Sequence, residues 1–502
     1  MKKTKGFWYQ QTETVFGEIF QQLCQNLNLI HNVQHTSRYW EILVGPWLRQ
    51  FLDMAMVRIL EIENGINVPE PVTNSLPPAS LHEFREKSKD PRYTKELHWE
   101  ISNGSMVQAP KAAQGDACST EAVSSGHLKG TYISVSYLPR ISEISLQLRI
   151  GCRPSKMKPL SRFEFEICDQ MRSQIVDSND CLLSLSKLIM SLLAKYLPQT
   201  YLEGYTNLGS TVRPWKYRRF PAIIFTSNRH LYDDVFNYWT AEATRRGAKL
   251  VIGQHGGNTG LSEFPSSSER HETQVADRYI TWGWSSSDNC VPGFVFTTAG
   301  TRFKVRPNRK GLLIVTDQLW EYPRSIFLDL SHTSEYLSHL SLLIESLSDS
   351  IRFQTQIRIH HSDLEDSNFQ YHYWQNKYPE LNLDKKPARF RTHLQKSRLL
   401  LVAHNGTSIP EAFSLQFPTL LTWNESYMKV RRDAEPVFEL MERAGIFHST
   451  PESAASFINQ IWDDVDGWWN SPQVIEARFQ FCNQYARTVP HPVRFLAKTL
   501  KF

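Results

Sequence analysis

Two stretches of the chain set a histidine among small residues directly after an apolar run. In Lys249-Leu250-Val251-Ile252-Gly253-Gln254-His255-Gly256-Gly257-Asn258-Thr259-Gly260 the apolar run reads as a strand, and glycines flank a single imidazole. Glycine lets backbone amides approach a ligand closely, and ligands of open α/β sheets sit at the carboxyl ends of strands. His255 is suited there to proton transfer or to donating into a phosphate. The alternative is a tight turn whose histidine caps a neighbouring carbonyl. In Leu399-Leu400-Leu401-Val402-Ala403-His404-Asn405-Gly406-Thr407-Ser408-Ile409-Pro410-Glu411-Ala412 a second strand runs into a helix start, with Ser408 as the expected N-cap and Pro410 in the first turn. The free N–H groups of such a start suit a phosphate. Glu411 admits two roles, bonding back to the Ser408 amide in a capping box or gripping a ribose diol, and the spacing does not separate them.

A third strand end, Arg358-Ile359-His360-His361-Ser362-Asp363, carries a guanidinium whose fork matches a diphosphate. Adjacent histidines on an extended chain face opposite sides, so His360 and His361 are not expected to share a metal. A surface Arg beside a solvated His pair is the alternative. Arg324 and Ser325, behind the apolar run Gly311–Val315, are further phosphate candidates. Asp463, Asp464 and Asp466 among Trp462, Trp468 and Trp469 lack the glycine turn and terminal Glu of a calcium loop and read as capping and packing. No metal and no cofactor is expected.

The elements that must position these groups follow from periodicity. Val15, Ile19, Leu23, Leu27 and Ile30 recur at helical intervals, as do Trp47, Phe51, Met54 and Ile59 after Gly45-Pro46, which predicts a kinked, aromatic helical hairpin. Residues 63–130 gather Asn, Pro, Gly, Ser and charge, including Pro69, Pro71, Pro77, Pro78 and the small-residue stretch Ala109–Ser125, and read as a long irregular excursion, with an acceptor-binding insertion as the alternative. Thereafter helices alternate with short apolar runs at Ala222–Phe225, Lys249–Ile252, Arg278–Trp282, Gly311–Val315, Gln356–Ile359, Leu399–Val402 and Thr419–Leu421. Helices fall at 182–197, 232–246, 332–350 and from Ile409. Buried parallel sheets have this pattern. Two such blocks, split near residues 290–310, predict an α/β fold of two Rossmann-like, doubly wound domains facing a central cleft, with a helical N-terminal segment. The expected division is 1–295 and 296–502.

Composition restricts the function classes. Of 502 residues 41% are apolar and 12% aromatic, a folded chain rather than a disordered one. Lys and Arg number 56 against 51 Asp and Glu, an excess too small for a dedicated nucleic-acid binder. No window offers the roughly 18 uninterrupted apolar residues of a membrane-spanning helix, and the start is not of signal-peptide type. Seven cysteines without C-x-x-C spacing read as reduced thiols in a cytoplasm.

The segments Thr36–Leu48, Gly253–Gly257, Ala276–Trp284 and Gly445–His448 with Pro451–Ala455 resemble a transferase family of bacterial O-antigen and surface-polysaccharide gene clusters, similar to GT-B glycosyltransferases. The resemblance implies a nucleotide-sugar donor held mainly by the C-terminal domain and a glycan or lipid-linked glycan acceptor held by the N-terminal one. By position, Glu411 resembles the ribose-binding carboxylate, and Asn405, Gly406, Thr407 and Ser408 resemble the phosphate-facing turn. Gly256, Gly257, Arg324, Arg358 and His360 fall on the donor side. His255 resembles the cleft residue of the N-terminal domain, expected to deprotonate the acceptor hydroxyl or to assist the departing phosphate, and Arg38, Gln254 and Asn258 fall on the acceptor side. The family opens with a strand ahead of its helices, whereas this chain starts almost at the helices, and His360-His361 replaces a Tyr-Pro pair. The implied activity is metal-independent glycosyl transfer in the cytoplasm, with peripheral association at the inner membrane. Rival readings are a polyol-phosphate transferase or sugar-nucleotide epimerase on the same scaffold, and a non-catalytic partner of a polysaccharide-assembly complex.

Overall fold

The computed structural model describes residues 4–66, 76–103, 128–152, 163–176, 183–212, 220–319, 323–325, 330–360, 369–384, 389–426 and 428–502, with the side chains of 330–332 excepted. Pro69, Pro71, Ala109–Ser125, Trp320–Tyr322 and His361–Asp363 lie outside the described residues.

The chain begins with helices α1 (Lys5–Ile30) and α2 (Ser37–Glu63), each opened by a threonine whose hydroxyl accepts an early helix N–H, Thr4 from Phe7 and Thr36 from Tyr39. The predicted hairpin at Ser37–Leu48 is instead part of one helix, with Pro46 inside it. Almost every residue from Tyr39 to Arg58 is buried, so tertiary packing outweighs the hydrogen bond that proline removes. Gly45 is needed for close approach: a Cβ there would lie 3.0 Å from His271 Nδ1 on helix Ser267–Val275. Within the stretch read as irregular, Leu81–Lys87 and Pro91–Ser102 are helices. Their signals were local and short: Ser80 Oγ accepts from Glu83 N while the Glu83 carboxylate takes the Ala79 amide, and Asp90 caps the start at Pro91.

The first sheet holds β1 (Thr131–Ser134), β2 (Ile223–Thr226), β3 (Lys249–Gly253), β4 (Arg278–Thr281) and β5 (Cys290–Pro292), all parallel and in that spatial order. Side chains alternate between its faces. Ile224, Leu250, Ile252 and Tyr279 join the core containing α1 and α2, whereas Phe225, Val251 and Ile280 pack with Leu146 of helix Arg140–Arg149 and Leu496 of helix Pro492–Thr499. The last helix thus returns to cover the first sheet.

The second sheet holds β6 (Leu312–Val315), β7 (Gln356–Arg358), β8 (Asn382–Leu383), β9 (Leu399–Val402), β10 (Thr419–Thr422) and β11 (Phe447–His448), parallel in the order β11-β10-β9-β6-β7-β8. From β6 the chain builds outward through β7 and β8, then jumps to β9 on the other side. That reversal creates a switch point between β6 and β9, where open α/β sheets bind ligands. Two parallel α/β sheets with helical layers are the architecture expected from the sequence. Among the described residues no helix is long and apolar enough to cross a membrane.

Candidate functional site

The loop after β3 is built from its buried glutamine outward. Gln254 is 1% exposed; its Oε1 accepts from the Trp282 amide at 2.7 Å and Trp284 Nε1 at 2.9 Å, while its Nε2 donates to the Gly256 carbonyl at 2.7 Å. Gln254 therefore holds the loop from beneath and does not face the cleft, where the sequence reading had set it on the acceptor side. His255 follows, half-buried, with Nδ1 3.5 Å from Glu272 Oε1. Glu272, on helix Ser267–Val275, is wholly buried; His230 Nε2 lies 3.0 Å from the same oxygen and the Tyr279 hydroxyl donates to Oε2 at 3.1 Å. Burial pushes the Glu272 carboxyl up to about 7, against the pull of His255 and the Tyr279 hydroxyl. Burial pushes His255 down, with His230 and Arg85 acting the same way and Glu272 opposing them. A neutral imidazole backed by a carboxyl that titrates near neutrality can accept a proton from a hydroxyl and keep the resulting charge compensated.

Tyr137 reaches the same place from the loop after β1. Its ring meets His255 edge-on at 5.9 Å, and Asn228 Nδ2 donates to its hydroxyl at 2.9 Å. The loop is strained: Val135 has φ 51° and Tyr137 φ 61°, left-handed conformations that a β-branched or aromatic residue rarely adopts. Ser227 holds it there, its amide donating to the Val135 carbonyl at 2.9 Å and its hydroxyl to the Ser136 carbonyl at 3.1 Å. Such strain persists where the surroundings over-determine it, often at functional sites.

From the second sheet, the loop after β9 lies at the switch point and meets the β3 loop directly. The Gly257 amide donates to Thr407 Oγ1 at 3.2 Å, and a Cβ on Gly257 would lie 2.4 Å from the Gly406 carbonyl oxygen. Only glycine fits at 257. Asn405 Nδ2 donates to Ser262 Oγ at 3.1 Å, while its Oδ1 is buried with no hydrogen-bond partner. Helix Ser408–Ser414 has Thr407, not Ser408, as its N-cap, and no side chain caps it. The cap lies one residue earlier than the capping box at Ser408 requires. Glu411 is instead pushed up by burial and held back by Thr297, Arg391 and Arg358. Imidazole, the Glu272 carboxyl and the Tyr137 phenol thus gather beside the contact of the β3 and β9 loops, at the crevice between the sheets.

Below this crevice the lobes are stitched together. Ser262 and Val430 form an antiparallel bridge; the Arg431 amide donates to the Leu261 carbonyl and the Glu263 amide to the Lys429 carbonyl, each at 2.9 Å. The Arg431 guanidinium pairs with buried Glu269. Two cavities open beside the contact, one of about 320 Å³ lined by Asn258, Asp317, Asn405 and Met428, the other of about 300 Å³ lined by His255, Arg85 and Arg324. Ser266 and Ser325 border both.

Two expected residues lie elsewhere or are already engaged. Arg38 pairs with Asp277 at 2.6 Å, immediately before β4. That is the amino edge of the first sheet, about 13 Å of strand away from His255, so Arg38 does not line the cleft. Arg358 stands at the end of β7 but pairs with Asp384 at 2.9 Å, a carboxylate that His393 also approaches at 3.0 Å. His360 is half-buried two residues beyond β7. Sequence reading missed Glu272, Tyr137, His230 and Arg85. The first sits on a helix it did not identify, and Arg85 lies in the stretch read as irregular. Among the described residues no group of three or more His, Cys, Asp or Glu is disposed to hold a metal ion.

Three solved structures resemble the chain loosely. They are S. aureus MnaA with UDP (13% identity over 70% of this chain and 84% of that one, TM-score 0.37), a Neisseria meningitidis UDP-GlcNAc 2-epimerase bound to UDP-GlcNAc (12%, 72% and 89%, 0.38), and the wall teichoic acid polymerase TagF (9%, 59% and 84%, 0.33). At such TM-scores they carry no functional argument. No curated protein matches the chain. The family model described as LIC12162 family transferase matches residues 7–95 and 86–500, nearly the full length, and the chain therefore belongs to that family of transferases.

Proposed function

We propose that this transferase moves a sugar from a nucleotide-sugar donor to a hydroxyl of a glycan or lipid-linked glycan acceptor, in the crevice between the two sheets. The observation that carries the reading is the contact of the loop that holds His255, backed by Glu272, with the helix start at the β6/β9 switch point of the other sheet, made through Gly257 and Thr407. In this reading Asn405 to Ser408 face the donor phosphates, and Glu411 takes the ribose diol. His255 removes the proton of the acceptor hydroxyl as that oxygen attacks the anomeric carbon. Glu272 compensates the imidazolium that forms, and Arg324 stabilises the departing nucleoside diphosphate by fixed charge.

The test is a panel of uridine, guanosine, thymidine and cytidine diphosphate sugars offered to the purified protein, with nucleoside diphosphate release as the readout. One donor class is expected to be consumed, and His255→Ala is expected to lower its turnover by about 10²–10⁴-fold, the usual contribution of a general base. Glu411→Ala should raise KM for that donor. Near-native kinetics in both variants, or no uptake of any nucleotide, would refute the assignment.

A further inference from the structure

The cavity that holds His255 has a second property, of which the proposed chemistry uses only the Arg324 charge. Its wall carries two guanidinium groups from distant parts of the chain, Arg85 from helix Leu81–Lys87 and Arg324 from the loop beyond β6. Hydroxyls surround them: Ser88, Ser266, Ser268 and Ser325 all border the same space. Among the described residues that line it the one carboxylate, Asp53, is bonded to Arg270 at 2.6 Å and contributes little free negative charge. Glu86, beside Arg85 in sequence, is exposed and paired with Lys89 at 2.6 Å. Arg85 donates to the Leu231 carbonyl at 2.9 Å, which fixes its side chain against the first sheet. Two cations and several hydroxyls around a space bordered by one neutralised acid make a field selective for an anion with several oxygens.

We propose that this cavity is a phosphoryl-binding site, in which Arg85 and Arg324 grip the oxygens of a phosphate or diphosphate from opposite lobes beside the His255 imidazole. The electrostatics agree: burial pushes both guanidinium groups below their ordinary range, Arg324 to about 9 with Arg85 adding to the effect, and a bound anion relieves this. The phosphoryl group belongs either to the nucleotide or to the acceptor. That assignment rests on the function proposed above; the anion binding does not.

Isothermal titration of the full-length protein with inorganic pyrophosphate, and separately with UDP, GDP, TDP and CDP, tests it. Wild type is expected to bind pyrophosphate, and Arg85→Gln and Arg324→Gln to bind it on the order of tenfold more weakly or worse, as loss of a charge-assisted pair implies. Arg92→Gln, which removes an exposed arginine paired with Asp90, should leave it unchanged. Thermal melts establish that each variant is folded, and the two arginines come from different lobes, so one misfolded variant leaves the other informative. If a nucleoside diphosphate competes with pyrophosphate and Arg85→Gln weakens both, the group is the nucleotide's. If the two bind together and Arg85→Gln spares the nucleotide, it is the acceptor's. Pyrophosphate binding without any nucleotide binding keeps the site and removes the donor reading. No binding at millimolar pyrophosphate, equal binding by wild type and both glutamine variants, or equal weakening by Arg92→Gln overturns the proposal.

Discussion

Replacing Glu272 by Gln preserves shape and the acceptor for Tyr279 while deleting the charge behind His255. At an effective dielectric of about 20, a full imidazolium 3.5 Å from a carboxylate gains about 5 kcal/mol. If the proton is about half transferred in the transition state, the loss is about 2.5 kcal/mol, or roughly 50-fold to 100-fold in rate. The pH profile changes as well. In the wild type Glu272 loses its proton near its raised value of about 7, and kcat/KM rises through that pH as the charge that compensates the imidazolium appears. In Glu272→Gln only His255 titrates, below the ordinary histidine range because burial, His230 and Arg85 all push it down and the opposing carboxylate is gone. The rising limb should therefore move to lower pH while the plateau falls. The assay is kcat/KM from pH 5 to 9 with the donor found in the panel, paired with NMR titration of the His255 ring. A variant within threefold of wild type, with its limb unmoved, would refute the reasoning.

Gly257→Ala should push the β3 and β9 loops apart, because the new carbon would sit 2.4 Å from the Gly406 carbonyl; a destabilisation of about 1–3 kcal/mol is expected in urea denaturation, with loss of turnover, and an unchanged midpoint would contradict the contact. Asp234 is buried, its Oδ2 accepting from the Leu81 amide at 3.0 Å, and burial raises its carboxyl to about 7. Because the folded form holds its proton to higher pH than the unfolded chain, this group's contribution to stability falls as pH climbs from about 4 to about 7, by up to about 4 kcal/mol. Asp234→Asn should consequently melt higher than wild type at pH 8 and converge with it near pH 4; parallel melting curves at both would oppose this. Asp53→Ala strands part of the Arg270 charge, with Glu13 remaining as a partner, and should cost about 3 kcal/mol by urea denaturation.

What the sequence revealed follows burial. β6 and β9 are four-residue apolar runs, and β3 and β10 carry apolar centres, because neighbours enclose them on both faces and both edges. The strands it did not disclose, β1, β5, β8 and β11, are the outer strands of the two sheets, two to four residues long and often polar at an end. The site divides similarly. His255 and Asn405 were legible because a strand followed by small residues marks a sheet's carboxyl edge. Glu272, Arg85 and Tyr137 were not, since a helix, another helix and a strained turn carry them there from far along the chain. Arg38 and Arg358 show the converse: each is a cation near a strand, but Asp277 and Asp384 claim them, and no local spacing announces those pairings.

The return of helix Pro492–Thr499 to the first sheet bears on how the molecule is made. Phe225, Val251 and Ile280 pack with Leu496 as well as Leu146, so part of the cover of that face is supplied by residues that leave the ribosome some two hundred positions later. The early lobe must therefore wait, with part of an oily surface uncovered, until helix Pro492–Thr499 has been made. A product cut short before helix Pro492–Thr499 should be cleared or aggregate rather than linger as a half-built lobe.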